Sequence, residues 1–360
     1  MIKVGIVGCG KIADSHASQI QRIADCEIVG VCDKEALMAR QLYERFPVKR
    51  YFDNVDQFLD EAKPDIVHIS TPPQGHYKLG RKCLEAGCHV YIEKPFTTNT
   101  TEAEKLIQIA AKKKLKITAG HDDQFTHAAR RMRELITQGY LGGFPVHMES
   151  CYCYDLGDEQ YAKALLGDKN HWVRGLPGTL MQNNISHGIS RIAEFLSDDS
   201  PKVMAHGFVS PFLKTLGEDS IIDEVRVIIS EDSGTTAYFT FSTQMRPTLR
   251  QFRVYGTKNG LMVDHEKQIL IKIKGTNYKS YLEKFVPQHD YALQYVMNSF
   301  INMYSFLKKD FHMKSGMKFL IEAFYRSVVE DTPPPIPYRE IILTSRIMDN
   351  IFNQIHPAEK

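Results

Sequence analysis

The sequence predicts an α/β protein: a doubly wound parallel sheet comes first, and an α+β domain with a mostly antiparallel open sheet follows. Three observations carry this. Short apolar strand patterns alternate with amphipathic helix patterns over the first third of the chain, a glycine fingerprint opens that alternation, and from Val146 onward the strands lengthen and alternate polar with apolar. At 360 residues the chain exceeds one typical domain, so two domains are expected, residues 1–123 and 124–360.

Residues 3–7 read as a short buried strand that runs directly into Gly8-Cys9-Gly10-Lys11-Ile12-Ala13, a G-x-G-x-x-A pattern, and then a helix over 12–23. Between a strand and a helix this pattern is the Rossmann dinucleotide fingerprint. Gly8 permits the tight turn, Gly10 lets backbone approach a pyrophosphate, and Ala13 packs close. The helix amino terminus at Lys11 and Ile12 offers N–H groups and a partial positive charge to phosphates. A second strand, 27–32, ends in Asp33, about twenty residues past the fingerprint, where a carboxylate accepts from a ribose 2′-hydroxyl and repels a 2′-phosphate. NAD is therefore the expected cofactor. Lys34 and Arg40 leave NADP open, although each also reads as a solvated helix charge.

The alternation continues with a helix over 34–46, a strand over 50–52, a helix over 55–62 and a strand over 65–70. That strand ends in Ser70-Thr71-Pro72-Pro73, where the prolines cannot extend the ladder and the chain must leave the sheet. His76 opens the next helix, 75–86, with a cofactor loop or a plain first helical turn as its two readings. His89-Val90-Tyr91-Ile92 is a strand that delivers Glu93-Lys94-Pro95 to the carboxyl end of the sheet. Ligands bind at this end of open α/β sheets, although a charged pair there also reads as a surface ion pair. A helix over 97–113 and a strand over 115–119 close the domain.

The second domain shows strands at 225–231, 235–243 and 250–255, with a hairpin at Asp232-Ser233-Gly234. Its informative segment is a helix over 178–196. Met181, Ile185, Ile189, Ile192 and Leu196 form one apolar stripe, and Asn183 and His187, four apart, share another face. Histidine fits acid/base work near neutrality, though a lone helical histidine is more often structural. Trp172 and Arg174 precede a Gly-Leu-Pro-Gly turn and are candidate substrate or phosphate contacts, against packing and surface charge as plainer readings. Helices are expected over 291–311, 316–329 and 339–355, with a stiff proline-rich spacer at 332–337.

Hydrophobic residues at 43% and charged residues at 24% describe an ordinary globular chain. A net charge of +2 from 45 basic and 43 acidic residues gives no pull toward nucleic acid or acidic membranes, so the partner is expected to be a small molecule. No apolar run reaches bilayer length and the chain enters a strand at once, from which a cytoplasmic location is expected. The seven scattered cysteines read as buried hydrophobes in a reducing compartment, and Cys151-Tyr152-Cys153 lacks the partners of a zinc site, so no metal is expected.

The fingerprint, Asp33, Ser70 to Pro73, His76 and Glu93-Lys94-Pro95, in this order, resemble the Gfo/Idh/MocA family of nicotinamide-dependent sugar and polyol oxidoreductases. Gly120-His121-Asp122-Asp123-Gln124-Phe125 resembles the family's linking segment, with Gln124 where an arginine is usual, and Tyr255 to Leu261 its late hairpin. The resemblance implies that Glu93 and Lys94 meet the nicotinamide, that Lys94 also meets the reacting oxygen, and that His187 faces the ring as acid/base. It implies an aspartate four residues before that histidine, and this chain has Asn183. An amide orients a hydroxyl but relays no proton. The reaction implied is dehydrogenation or reduction at a secondary alcohol or ketone of a sugar, polyol or nucleotide-linked sugar. The alternatives are a non-catalytic cofactor-binding regulator of the same fold and a reductase of a non-sugar such as an imine or tetrapyrrole. A homodimer or homotetramer and a last helix packing back on the first domain are also implied.

Overall fold

In the computed structural model, the structure describes residues 1–156, 166–275, 278–308, 311 and 314–356. The first sheet has strand order β3-β2-β1-β4-β5-β6, all parallel: β1 (Ile2–Val7), β2 (Cys26–Cys32), β3 (Tyr51–Phe52), β4 (Ile66–Ile69), β5 (His89–Ile92) and β6 (Ile117–Ala119). Order reverses between β1 and β4, and a crevice opens at such a point beyond the strands' carboxyl ends. The crossover helices are α1 (Lys11–Ile20), α2 (Ala36–Arg45), α3 (Val55–Ala62), α4 (His76–Glu85) and α5 (Thr100–Lys112). Helix α5 starts three residues later than the periodicity suggests. The Thr97 hydroxyl is spent on the Asn99 carbonyl (2.8 Å), and the Asn99 side chain caps the helix by accepting from Glu102 N.

The second sheet has order β13-β12-β11-β7-β10-β9-β8. Its strands are β7 (His147–Cys153), β8 (Lys202–Phe208), β9 (Glu224–Ser230), β10 (Thr236–Ser242), β11 (Arg250–Tyr255), β12 (Asn259–Asp264) and β13 (Ile269–Lys274). Every pairing is antiparallel except β7 with β10. Helix α6 (His127–Thr137) leads in from the first sheet.

The segment expected as one helix over 178–196 is two: α7 (Thr179–Asn184) and α8 (Ser186–Ala193), parted at Ile185. The Asn184 amide donates to the Leu180 carbonyl (2.9 Å), a back-bond four residues up the chain that competes with the helical ladder. The apolar stripe survives the break, with Met181, Ile185, Ile189 and Ile192 all fully buried. Gly188 passes so close to the sheet that a Cβ there would lie 2.3 Å from the Phe239 ring.

Four further helices follow: α9 (Pro211–Thr215), α10 (Val286–Leu307), α11 (Ser315–Val329) and α12 (Tyr338–Ile355). Helix α11 departs from a simple two-part reading of the chain. Met317, Leu320, Ile321, Phe324 and Tyr325 are buried in the core of the first sheet, although the sequence places them far beyond residue 123. Helix α12 bridges the two cores: Ile341 lies in the first, Leu343, Ile347 and Ile351 in the second, and Asp349 accepts from Thr100 N and Oγ1. No helix among the described residues is long and apolar enough to cross a membrane.

Candidate active site

Gly8, Gly10, Asp33, Lys34, Ser70, Thr71 and Pro72 line one cleft of about 630 Å³ at the carboxyl ends of β1, β2 and β4, joined by Met38, Asp53, Asn54 and Leu79. Gly8 sits at φ +93°, and a Cβ there would lie 2.7 Å from the backbone of Ser70 and Thr71. Around Gly10 a Cβ would meet nothing within 4 Å, so this backbone opens on space that a ligand can occupy. Helix α1 has no side-chain cap, which leaves the first-turn amides of Lys11 and Ile12 available to phosphate. Asp33 accepts from Cys9 N (2.7 Å) and Glu35 N (3.0 Å), so its carboxylate is fixed beside the glycine loop. These features fit a dinucleotide.

His76 and Gln124 do not join that cleft. The buried His76 ring is wedged between two carbonyls, Pro95 O 2.9 Å from Nδ1 and Thr71 O 2.8 Å from Nε2. The neutral ring donates to one of them and packs the Lys94-Pro95 turn against the loop after β4. Gln124 turns toward α8, donating to Ser190 O and to Glu194 Oε2. Trp172 is partly exposed, and its carbonyl accepts from the Gln74 amide beside the proline loop (2.8 Å). Arg174 is engaged by Glu218 (2.7 Å). Residues 157–165, ahead of Trp172 and Arg174, lie outside the described residues.

Beside the cleft, β5 delivers Glu93 and Lys94. Lys94 Nζ donates to the Asn183 carbonyl (3.0 Å), one of the last carbonyls of α7 that lack a partner within that helix. Asn183 therefore meets Lys94 through its backbone, whereas the sequence reading gave it a role only through its side-chain amide, toward a substrate hydroxyl. Burial pushes the Lys94 ammonium down, with Glu93 and Asp122 opposing.

Glu93 ends a buried chain. It takes a 2.9 Å hydrogen bond from His16 Nε2; His16 Nδ1 lies 2.9 Å from His68 Nδ1; and His68 Nε2 lies 2.8 Å from the Tyr325 hydroxyl. With one proton per ring there is a single donor order: Tyr325 to His68, His68 to His16, His16 to Glu93. Burial would raise Glu93, but the hydrogen bond from His16 and the nearby Lys94 ammonium hold it down at about 2.

The opposite wall comes from the turn after β6. Gly120 runs against Glu93, where a Cβ would lie 3.0 Å from the carboxylate. The chain then presents His121, Asp122 and Asp123 to α8. His187 Nδ1 stands 3.8 Å from Asp122 and 3.9 Å from Asp123, with no hydrogen bond among the described residues. Its ring stacks on Tyr152, centroids 5.8 Å apart. Asp123 is already claimed by Arg191. Burial drives His187 down to about 3, against Asp123 and with Lys94 and Arg191, so the ring is neutral at neutral pH. Burial and the Asp123 charge push Asp122 up to about 7, with Lys314 and Lys94 opposing. Asp123 moves the other way: burial raises it, and His187 and Arg191 pull it down further. The two acids and His187 bring ligand atoms within 4.8 Å of one another. A cation there would have to displace the Arg191 guanidinium and sit near the Lys94 ammonium, so the donor set does not fit a metal well.

Sequence reasoning missed Asp122, Asp123, His121, Arg191 and the His16-His68-Tyr325 chain. Gly120-His-Asp-Asp at the end of the last parallel strand was the available signal, because charge there faces the crevice.

A dinucleotide-type α/β domain is thus joined to an open-sheet domain whose first helices close over its carboxyl edge. Residues 2–121 match the Gfo/Idh/MocA oxidoreductase family model, described as an NAD-binding Rossmann fold, so this third of the chain is similar to that family's nucleotide-binding domain. Among curated relatives it is similar to D-glucoside 3-dehydrogenase of Escherichia coli K12, 33% identical over 142 residues, 39% of this chain and 40% of that one. It is also similar to UDP-N-acetylglucosamine 3-dehydrogenase of Acidithiobacillus ferrooxidans, 32% identical over 37% of this chain and 41% of that one. The matched stretch thus spans about two fifths of these relatives. The fold is shared over nearly the whole length with the solved structure of the latter enzyme, TM-score 0.74 at 19% identity, covering 98% of this chain and 97% of that one. It is likewise shared with the WlbA dehydrogenase of Bordetella pertussis in complex with NADH and UDP-GlcNAcA, TM-score 0.76 at 15% identity, covering 98% and 95%.

Proposed function

We propose that the protein is an NAD-dependent dehydrogenase of a secondary alcohol on a sugar, polyol or nucleotide-linked sugar. The observation that carries this reading is the convergence of Lys94, His187 and Asp122 from three separate elements beside a cleft with dinucleotide features. Nicotinamide bound in the cleft supplies the hydride acceptor; everything else is the work of side chains.

His187 is the base. Its ring is neutral, and with Nδ1 turned to Asp122 the tautomer leaves Nε2 to take the hydroxyl proton. Asp122 orients the ring and balances the imidazolium that forms, doing from another element what Asn183 cannot do from α7. Lys94, steadied by the Asn183 carbonyl and by Glu93, donates to the substrate oxygen as it becomes negative. Trp172, tied to Gln74 beside the proline loop, is assigned to the substrate rim, and Arg174 with Glu218 to holding that rim in place. Asp33 favours NAD over NADP.

The test is to incubate the purified protein with NAD or NADP and a panel of sugars, polyols and nucleotide sugars while following reduced nicotinamide absorbance. Turnover on one class that falls at least ~100-fold in Lys94→Ala and in His187→Ala supports the assignment. Tight NAD binding with no turnover across the panel points instead to a binding protein.

A further inference from the structure

Helix α10 is built inside out. Its polar side chains face the protein: Asn298 and Ser305 are its buried residues. Gln294 accepts from Lys272 N (2.7 Å) and donates to Lys272 O (3.1 Å). One turn on, Asn298 accepts from Leu270 N (3.1 Å) and donates to Leu270 O (2.9 Å), and Asn302 donates to Lys267 O (3.0 Å). This amide ladder seals the free edge of β13, the outermost strand of the second sheet, against pairing with a stray strand.

The price is paid on the other face. Leu293, Val296, Phe300, Met303 and Leu307 point outward at 60%, 51%, 58%, 54% and 74% exposure, flanked by Met297 and Tyr304. Spacings of three, four, three and four make this the seam of a two-helix pairing. Such side chains, half to three-quarters exposed, present on the order of 800 Å², the share one partner buries in a standard interface and more than a monomer usually leaves bare. The only Asp, Glu, Lys or Arg on the helix is Asp290, which pairs with Lys274 on the protein side. The nearest cation is Lys308 at the C-cap, whose Nζ lies 4.5 Å from the Tyr304 ring centroid at one end of the stripe. Between Leu293 and Met303 the stripe offers a charged partner or an anionic membrane no charge of its own.

We infer that this stripe is covered by the same stripe of a second copy of the chain, about a two-fold axis. An uncharged heptad seam is complementary to itself under that symmetry, because each contact of one residue with another is repeated with the two copies exchanged. The area matches what a stable dimer needs.

The experiment is sedimentation velocity on the full chain and on a Val296→Glu/Phe300→Glu variant, with circular dichroism melts confirming that both fold. The wild type is expected at twice the chain mass or an even multiple, and the variant at half the wild-type mass. A monomeric wild type overturns the inference, whether or not it floats with neutral phosphatidylcholine vesicles; so does an oligomer whose mass the substitutions leave unchanged. If the first variant fails to fold, Met303→Glu/Leu307→Glu at the far end of the seam gives the same two readings. Catalytic assays do not enter, so this result stands apart from the proposed activity.

Discussion

Glu93, buried, and Asp122, half-buried, are acids on either side of Lys94, yet the fold treats them oppositely. Glu93 is fully satisfied: His16, His68 and Tyr325 form a line of donors aimed at it, and it stays ionised. Asp122 is crowded by Asp123, has only distant cations, and is pushed toward its neutral form. The first arrangement makes a rigid anchor; the second leaves a carboxyl, 3.8 Å from His187 Nδ1, whose charge changes near neutral pH, as the proposed mechanism requires. What separates them is the number of committed donors, because desolvation acts on both.

The largest effect is expected from removing the anchor's charge. A carboxyl lowered from 4.5 to about 2 contributes stability that is complete above pH 4.5 and lost as pH falls toward 2, at most about 3 kcal/mol. Glu93→Gln should lower unfolding free energy by that order at pH 7, read by urea titration, and should flatten the acid limb of wild-type stability between those pH values. A variant as stable as wild type at pH 7 would mean the donor chain does not hold a charge.

Asp122→Asn should have the opposite sign. Because Asp122 is raised from 3.8 to about 7, its burial weakens the fold increasingly as pH climbs through that window and not below it. The variant should gain about 2 kcal/mol at pH 8, after discounting for the strong coupling to Asp123 and partial exposure, and nothing at pH 4. Turnover should fall ~10- to 100-fold and lose any rise with pH near 7. Destabilisation at pH 8 would make Asp122 a second anchor and end the contrast.

The anchor was half legible in the sequence and the exchanging acid was not. Glu93-Lys94-Pro95 lies at the end of a strand that local pattern identifies, and the glycine fingerprint needs only its strand and helix neighbours; both landed where expected. The donors to Glu93 come from α1, β4 and α11, and no local rule connects residue 325 to residue 16. Asp122 acquires its meaning from α8, about sixty positions on, and from the Arg191 that claims its neighbour. The break at Ile185 depends on one amide back-bond that a hydrophobic period does not report. Periodicity marks which face of α10 is apolar but not that this face points away from the protein.

Tyr325→Phe probes the far end of the anchor. It removes the donor to His68 Nε2 and leaves that nitrogen buried and unpaired, which should cost about 1 kcal/mol with turnover unchanged. A pH–rate profile that shifts in this variant would mean the chain conducts protons to the site and does more than hold Glu93.

Asn183→Ala should have the smallest effect, and for a reason only the backbone reveals. The contact to Lys94 is the carbonyl of residue 183, which alanine retains, and among the described residues the amide makes no hydrogen bond. Steady-state kinetics should therefore show kcat within about two-fold of wild type, with any change confined to KM as a lost substrate hydroxyl contact. A fall in kcat comparable to that of Asp122→Asn would return the proton path to α7 and reduce Asp122 to a bystander. The double variant Asn183→Asp/Asp122→Asn separates the two: recovery of turnover there requires only that some carboxylate face His187 Nδ1, whichever element carries it.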